Sequence, residues 1–170
     1  MNLIVAVDKN WGIGVNGDQP FFIPEDLQYF KDKTLHKVVV MGRITLAALP
    51  GGRPLKNRTN IVISRDKNLT ADGAIICGSL EELAECISQY DTDDVFIIGG
   101  QQIYEMLLNQ CRTAYITKIF AASPADRFFP NLDNLNNWTL TEQSEIKTHD
   151  GINFQFCVYH NITITPNITL

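Results

Sequence analysis

The amino-acid sequence predicts an α/β fold, a single domain with a central, mostly parallel sheet flanked by helices and closed by a C-terminal antiparallel strand hairpin. Three observations predict it. Short, nearly continuous apolar runs rich in Val and Ile alternate with helical patterns through most of the chain, as expected of parallel strands buried on both faces. Two of these runs pass directly into glycine and then into a helix, at Gly42 and at Gly99-Gly100. After Pro130 the pattern changes to the apolar and polar alternation of antiparallel strands.

Leu3 to Val7 (LIVAV) reads as a buried strand followed by a Gly-rich loop. Pro24 suits the first turn of a helix, because its fixed φ fits there and its missing N–H would have had no intrahelical partner. On that helix Ile23, Leu27 and Phe30 share one side, and Glu25, Gln28 and Asp32 point away. Val38 to Met41 is the second strand and leads into a short helix from about Arg43 to Leu49. Asn60 to Ser64 and Ala74 to Cys77 are two further strands. Ser79 then caps a helix, with Glu82 three residues on completing a capping box. Val95 to Ile98 precedes the helix QQIYEMLLNQC, and Ala114 to Ile119 adds a strand. WTLTEQSEI and INFQFCVYH form the closing hairpin around His149-Asp150-Gly151. The domain is expected to occupy residues 1–160, with Asn161 to Leu170 as a loosely held tail.

The composition narrows the function classes. At 170 residues, 45% hydrophobic and 19% charged, the chain has the size and balance of one globular domain with a substantial core. A net charge of −5 with no Lys/Arg run makes nucleic acid an unexpected partner. No apolar stretch is long enough to span a membrane, and MNLIVAVDKN has neither a basic leader nor a small-residue cleavage site, so a cytoplasmic protein is expected. Cys77, Cys86, Cys111 and Cys157 form no C-x-x-C pair, and His36, His149 and His160 are scattered, so no metal site is expected.

One acid is out of place. Asp26 sits about 60° from Ile23 and about 40° from Phe30 around the helix, at the edge of the apolar stripe. It either serves the helix end, where negative charge is favourable, or is a carboxylate held in an apolar pocket to bind a ligand or manage a proton. The two strand ends at Gly42 and Gly99-Gly100 offer close backbone approach to an anion, though neither is a G-x-G-x-x-G fingerprint. Arg43 is badly placed for the helix dipole but well placed for a phosphate. Ser64 and Arg65 at the next strand end would suit a 2′-phosphate, which favours NADP over NAD.

In these stretches, VAVDKNWGIG, QPFFIPEDLQYFK, VVVMGRITL, GRPLKNRTNIVIS, VFIIGGQQIYE and AYITKI, the chain resembles a bacterial-type dihydrofolate reductase from about Leu3 to Tyr159. The resemblance implies reduction of 7,8-dihydrofolate to tetrahydrofolate by hydride transfer from NADPH, supplying one-carbon metabolism. It implies a catalytic set of Asp26, Phe21, Tyr104 and Thr117, with Phe21 standing where the family usually has Trp. Substrate contacts would come from Ile4, Asp26, Leu27, Phe30, Leu49, Arg58, Ile98 and Thr117, with Arg58 pairing the glutamate α-carboxylate. The NADPH surface would be Ala6, Ile13, Gly14, Gln19, Gly42, Arg43, Ile44, Thr45, Ser64, Arg65, Gly99, Gly100, Gln101, Gln102, Ile103 and Tyr104.

The loop from Gly14 to Phe22 matches the family's mobile lid. Gln19 stands where many members carry Met or Leu, Ile44 replaces a frequent polar or basic residue, and Leu49-Pro50-Gly51-Gly52 lengthens the loop before Arg53. Small antifolates such as trimethoprim would be further ligands, no metal is implied, and a monomer is expected. Two rivals remain at this level. A pyrimidine reductase of riboflavin synthesis would not need the set Asp26, Phe30 and Arg58, and a silent nucleotide-binding module would not need the carboxylate and lid.

Overall fold

The computed structural model describes residues 1–164. Its strands are β1 (Asn2–Val7), β2 (Gly12–Gly14), β3 (Val38–Gly42), β4 (Thr59–Ile63), β5 (Ala74–Cys77), β6 (Val95–Gly99), β7 (Thr113–Ile119), β8 (Arg127–Phe128), β9 (Trp138–Gln143), β10 (Lys147–His149) and β11 (Ile152–Asn161). The helices are α1 (Pro24–Thr34), α2 (Arg43–Ala48), α3 (Leu80–Ile87) and α4 (Gln101–Leu107). Nine strands form one sheet in the order β10-β11-β7-β1-β6-β3-β4-β5, with β9 also paired to β11. From β7 to β5 every pairing is parallel, and β11 is antiparallel to β7.

The alternation of side chains along each strand sorts the core into two layers. Val38 and Val40 of β3 pack with Leu3, Val5, Leu83, Ile103 and Leu107 on the α3 and α4 side. Val39 and Met41 pack with Ile4, Phe96 and Ile98 beneath Phe30 of α1 and Leu46 of α2. Both faces are therefore covered, which is why the strands read as continuous apolar runs. Because β6 inserts between β1 and β3, and β7 lies on the other side of β1, the strand order reverses at β1. Such switch points leave a crevice at the carboxyl ends of the strands.

Several boundaries differ from expectation for identifiable reasons. The second helix stops at Ala48, not Leu49, because a residue before proline is driven to extended backbone, and Leu49 has φ −63°, ψ 156°. The helix expected to reach Cys111 is α-helical only to Leu107, then tightens into a 3₁₀ turn over Leu108–Gln110 that brings Leu108 and Cys111 into the core. WTLTEQSEI is not one strand. It ends as a strand at Gln143, Ser144 turns its N–H to the Phe156 carbonyl (2.8 Å), and β10 begins only beyond Ile146, on the same edge of β11. The hairpin turn is where expected, with Asp150 at φ 46° and Gly151 at φ 78°. Ser79 does cap α3, accepting from the Glu82 N–H at 3.2 Å, but the Glu82 carboxylate reaches the Gly78 N–H, not that of Ser79. The tail was expected to begin at Asn161, yet β11 runs through that residue and its N–H is held by the Arg112 carbonyl at 2.8 Å. The rest of the expected tail, residues 165–170, lies outside the described residues.

Candidate active site

Helix α1 enters over the sheet on a buried apolar anchor. Ile23, immediately before Pro24, packs with Ile119 and Phe154, and Ala6 and Phe21 lean on the same cluster. The next turn carries Glu25 outward, where Oε2 lies 3.4 Å from His149 Nδ1, and Asp26 inward. Asp26 faces Thr117 of β7, a residue only 1% exposed that sits beside Ala6 of β1 in the strand register. Burial raises the Asp26 carboxyl above its ordinary value, and the hydrogen bond with Thr117 only partly offsets this. Among the described residues no cation pairs with it.

Ile4, Ile98, Phe30 and Leu49 come together in one apolar cluster with Leu46 and Leu55, forming the wall between α1 and α2. Leu27 departs from the expected packed stripe: it is 40% exposed, whereas Asp26, Tyr29, Phe30 and Lys33 of α1 are partly buried and Thr34 completely. A leucine left open beside the one inward acid marks a face that the protein itself does not cover.

Arg58 is held at the far end of this wall. Its Nε donates to Thr34 Oγ1 at 2.9 Å, Nη1 donates to the Lys56 carbonyl at 2.8 Å, and the guanidinium stands 5.9 Å from the Phe30 ring centre. Thr34 Oγ1 in turn donates to the Phe30 carbonyl at 2.7 Å, so one buried hydroxyl fixes the arginine to the helix. Burial pulls the Arg58 pKa down, as it does for a partly desolvated cation without an acid.

The glycine ends of β3 and β6 converge as expected. A Cβ on Gly42 would lie 3.0 Å from Ile103 Cγ1, one on Gly100 would lie 3.3 Å from Thr45 Oγ1, and one on Gly99 would lie 2.9 Å from the Tyr104 ring. These contacts put the starts of α2 and α4 side by side. The Gly99–Gly100 peptide is cis. Tyr104 is a buried wall: its hydroxyl donates to the Ile4 carbonyl at 2.7 Å, and burial next to Asp26 pushes its pKa upward.

Arg43, Ile44 and Arg65 are exposed, and Gly42 opposite Ile63 in the register puts Arg43 and Ser64 at adjacent strand ends. Ser64 Oγ accepts from the Asp66 N–H at 3.1 Å. Gln101 is already engaged, accepting from the Phe128 N–H at 2.9 Å and donating to Glu105, while Gln102 is exposed.

The lid has a root that sequence reasoning missed. Asp8 is 3% exposed and accepts from the N–H groups of Asn10 (2.7 Å), Gly12 (2.7 Å) and Ser123 (2.9 Å) and from the Ser123 hydroxyl (2.7 Å). Burial alone would raise its pKa, but the Ser123, Gly12 and Asn10 hydrogen bonds outweigh it and hold the carboxyl below its ordinary value. Beyond this root β2, which carries Ile13 and Gly14, pairs with β8, and the Asn16-Gly17 turn, both residues at positive φ, folds the chain back. Gln19 is exposed just after the turn. The Asn-Gly pair was the available signal for that turn, whereas nothing local announces Ser123 as the partner of Asp8.

Among the described residues no group of three His, Cys, Asp or Glu side chains could hold a metal ion, and no helix is long and apolar enough to cross a membrane.

Comparison with known proteins agrees with this geometry. The family model described as dihydrofolate reductase matches residues 1–161. The dihydrofolate reductase of Neisseria gonorrhoeae is 37% identical over 161 residues, covering 94% of this chain and 96% of its own, and that of Bacillus subtilis is 34% identical over 161 residues, covering 94% and 93%. A solved structure of the Enterococcus faecalis dihydrofolate reductase, complexed with NADP(H) and RAB-propyl, superposes with a TM-score of 0.84 at 31% identity over 94% of this chain and 95% of that one. An inward carboxylate beside a buried threonine, two converging glycine ends and this extent of likeness lead to one conclusion: the chain belongs to the dihydrofolate reductase family.

Proposed function

We propose that the chain reduces 7,8-dihydrofolate to 5,6,7,8-tetrahydrofolate with NADPH. The observation that carries this reading is Asp26, a lone acid turned into an apolar cleft with Thr117 at its side. A carboxylate so placed can take two hydrogen bonds from the amino and ring-nitrogen edge of a pterin, and in a desolvated site those bonds are stronger than in water. Ile4, Leu27, Phe30, Leu49 and Ile98 would clasp the flat rings and exclude water, which aligns the reacting carbon more than it adds chemistry. Arg58, already oriented by Thr34 and Lys56, would receive the substrate's glutamate carboxylate. Phe21 would close the lid side of the pocket, and Tyr104 would form its floor.

The residues also fit the cofactor. Glycine at 42, 99 and 100 lets the two strand ends pack closely against Ile103, Tyr104 and Thr45, and the exposed Arg43 and Arg65 beyond them stand without acid partners among the described residues. When bound, NADPH supplies the hydride. Thr45, Ile103 and Tyr104 would support it from α2 and α4, Ala6, Ile13, Gly14 and Gln19 from β1 and the lid, and Ile44, Ser64, Gln101 and Gln102 from the rim. Small antifolates of the diaminopyrimidine type would occupy the substrate cleft as cations against Asp26. The same reading takes the protein to be a cytoplasmic monomer that acts on small molecules and not on nucleic acid, supported by its net charge of −5.

The test is the loss of NADPH absorbance on adding dihydrofolate. Turnover that requires both compounds is expected, and no turnover with dihydrofolate overturns the reading. Replacing Arg43 and Arg65 together by Ala is expected to weaken NADPH far more than NADH, since each charge-assisted contact to a 2′-phosphate contributes about 1.5 to 3 kcal/mol. Equal losses for the two cofactors would show that these arginines do not read that phosphate.

A further inference from the structure

Helix α1 has two flanks, and the substrate cleft occupies only one of them. Phe30 faces Arg58, next to β4, whereas Tyr29 stacks on Phe156 of β11 with ring centres 4.2 Å apart. In the sheet order β4 and β11 lie on opposite sides of β1, so the two flanks are separate places. On the β11 flank a cavity of about 460 Å³ opens. Strand alternation builds its floor: Phe156 and Val158 leave β11 toward α1, with Tyr115 of β7 opposite Val158, while Cys157 and Tyr159 turn into the core on the other face. Tyr29 and Lys33, one turn apart on α1, form the wall, and the exposed Glu142 and His160 stand at the rim.

The uncommitted polar groups of this cavity are mostly donors. The Lys33 ammonium lies 4.5 Å from the Tyr115 ring centre and 5.5 Å from that of Tyr29, and among the described residues no acid pairs with it. Burial raises the pKa of both phenols, and the nearby Glu142 adds to the rise, so both keep their protons in neutral water. Neither hydroxyl has a protein partner among the described residues, which leaves each free to donate. Ser144, also in the lining, is already committed, its N–H to the Phe156 carbonyl and its hydroxyl to the Glu145 carbonyl. Glu142 is the one acid of the lining, and it stands at the rim.

We propose that this cavity is a second ligand site and takes a flat aromatic compound bearing one carboxylate, with its ring on Phe156 and Val158 and its carboxylate on Lys33 and the Tyr29 and Tyr115 hydroxyls. The volume is within the range of small-molecule sites, about 300 to 1,000 Å³. A half-buried ammonium over two rings strengthens a charge-assisted hydrogen bond relative to water, which favours an acid over its neutral analogue. A second negative charge would meet Glu142 at the rim, so the occupant is a monoacid. The site shares no lining residue with the substrate cleft, and the inference is independent of the dihydrofolate reading. It nevertheless adjoins that cleft, since Phe156 lies opposite Thr117, the partner of Asp26. The experiment must therefore tell the two places apart.

The full chain is titrated with naphthoate and with the uncharged naphthamide, followed by calorimetry and by backbone amide chemical shifts. Saturable naphthoate binding is expected, with shifts centred on Tyr29, Lys33, Tyr115 and Val158. Naphthamide is expected to bind about tenfold more weakly, because it lacks the charge-assisted contact. In K33Q naphthoate should fall to the level of naphthamide while naphthamide itself is unchanged, a pattern that a general loss of structure does not produce. Equal affinities of the two compounds for the unaltered chain overturn the proposal, as does the absence of saturable naphthoate binding. Naphthoate affinity that survives K33Q overturns it as well. Shifts centred on Leu49 and Arg58 would place the compound in the substrate cleft and likewise end the proposal.

Discussion

Asp8, almost wholly buried, and Asp26, partly buried, are acids eighteen residues apart that the protein treats in opposite ways. Asp8 meets four donors from Asn10, Gly12 and Ser123, so its ionised form is favoured despite burial. Asp26 meets one hydroxyl, from Thr117, and its ionised form is disfavoured. The first arrangement satisfies the carboxylate within the fold and ties the lid root to a loop 115 residues away. The second leaves the carboxylate short of donors beside an uncovered leucine, so that a ligand must supply them. Burial alone does not mark a functional acid. The count of donors that burial leaves unmatched does.

The largest effect expected from breaking this contrast is on activity. Asp26→Asn should lower hydride transfer near neutral pH by roughly 10² to 10⁴, measured by stopped-flow, with partial recovery in acid where solvent can protonate the substrate. Stability should move the other way. The folded pKa of Asp26 is raised, so the folded state binds the extra proton and the wild type loses stability as pH rises from the unfolded value toward the folded one. Asp26→Asn should therefore be the more urea-resistant protein at neutral pH. Near-native rates in this variant would remove Asp26 from the mechanism.

Asp8→Ala is the converse. It strips an acceptor from four donors and should cost about 3 kcal/mol in urea unfolding, a figure in line with lost hydrogen bonds to a charged group. Here the folded pKa is lowered, so this stability is present above the unfolded pKa of about 3.8 and is lost as pH falls through the folded value. Wild type and Asp8→Ala should accordingly converge in strong acid. A cost that is the same at every pH would mean that the charge of Asp8 contributes nothing.

The smallest effect should come from Tyr104→Phe. The Ile4 carbonyl would lose a buried donor, for about 1 kcal/mol of stability, while turnover falls less than in Asp26→Asn because the hydroxyl is already committed to the backbone. A fall as large as that of Asp26→Asn would make Tyr104 a proton donor and not a wall.

What could be read in advance divides along the same line. The strand ends at Gly42 and Gly99, the Pro24 helix and the misplaced Asp26 are local patterns, and each appears where periodicity and proline or glycine chemistry put it. The donors of Asp8, the Thr34 clasp on Arg58 and the pairing of β2 with β8 join residues distant in sequence, and no local period encodes them. The exposure of Leu27 was hidden for a related reason. Helical spacing tells which residues share a face, but not whether protein or ligand covers it. The break at Ser144 depends on its pairing with Phe156 across the hairpin, which the alternating pattern alone does not disclose.

The most direct test of the contrast is a carboxyl-carbon NMR titration of the folded protein, with the two signals assigned by their loss in Asp8→Asn and Asp26→Asn. The account predicts that Asp26 titrates above an ordinary aspartate, about 3.9, and Asp8 below it. An Asp26 that titrates at or below the ordinary value, or an Asp8 that titrates above it, would contradict the claim that unmatched burial singles out the working carboxylate.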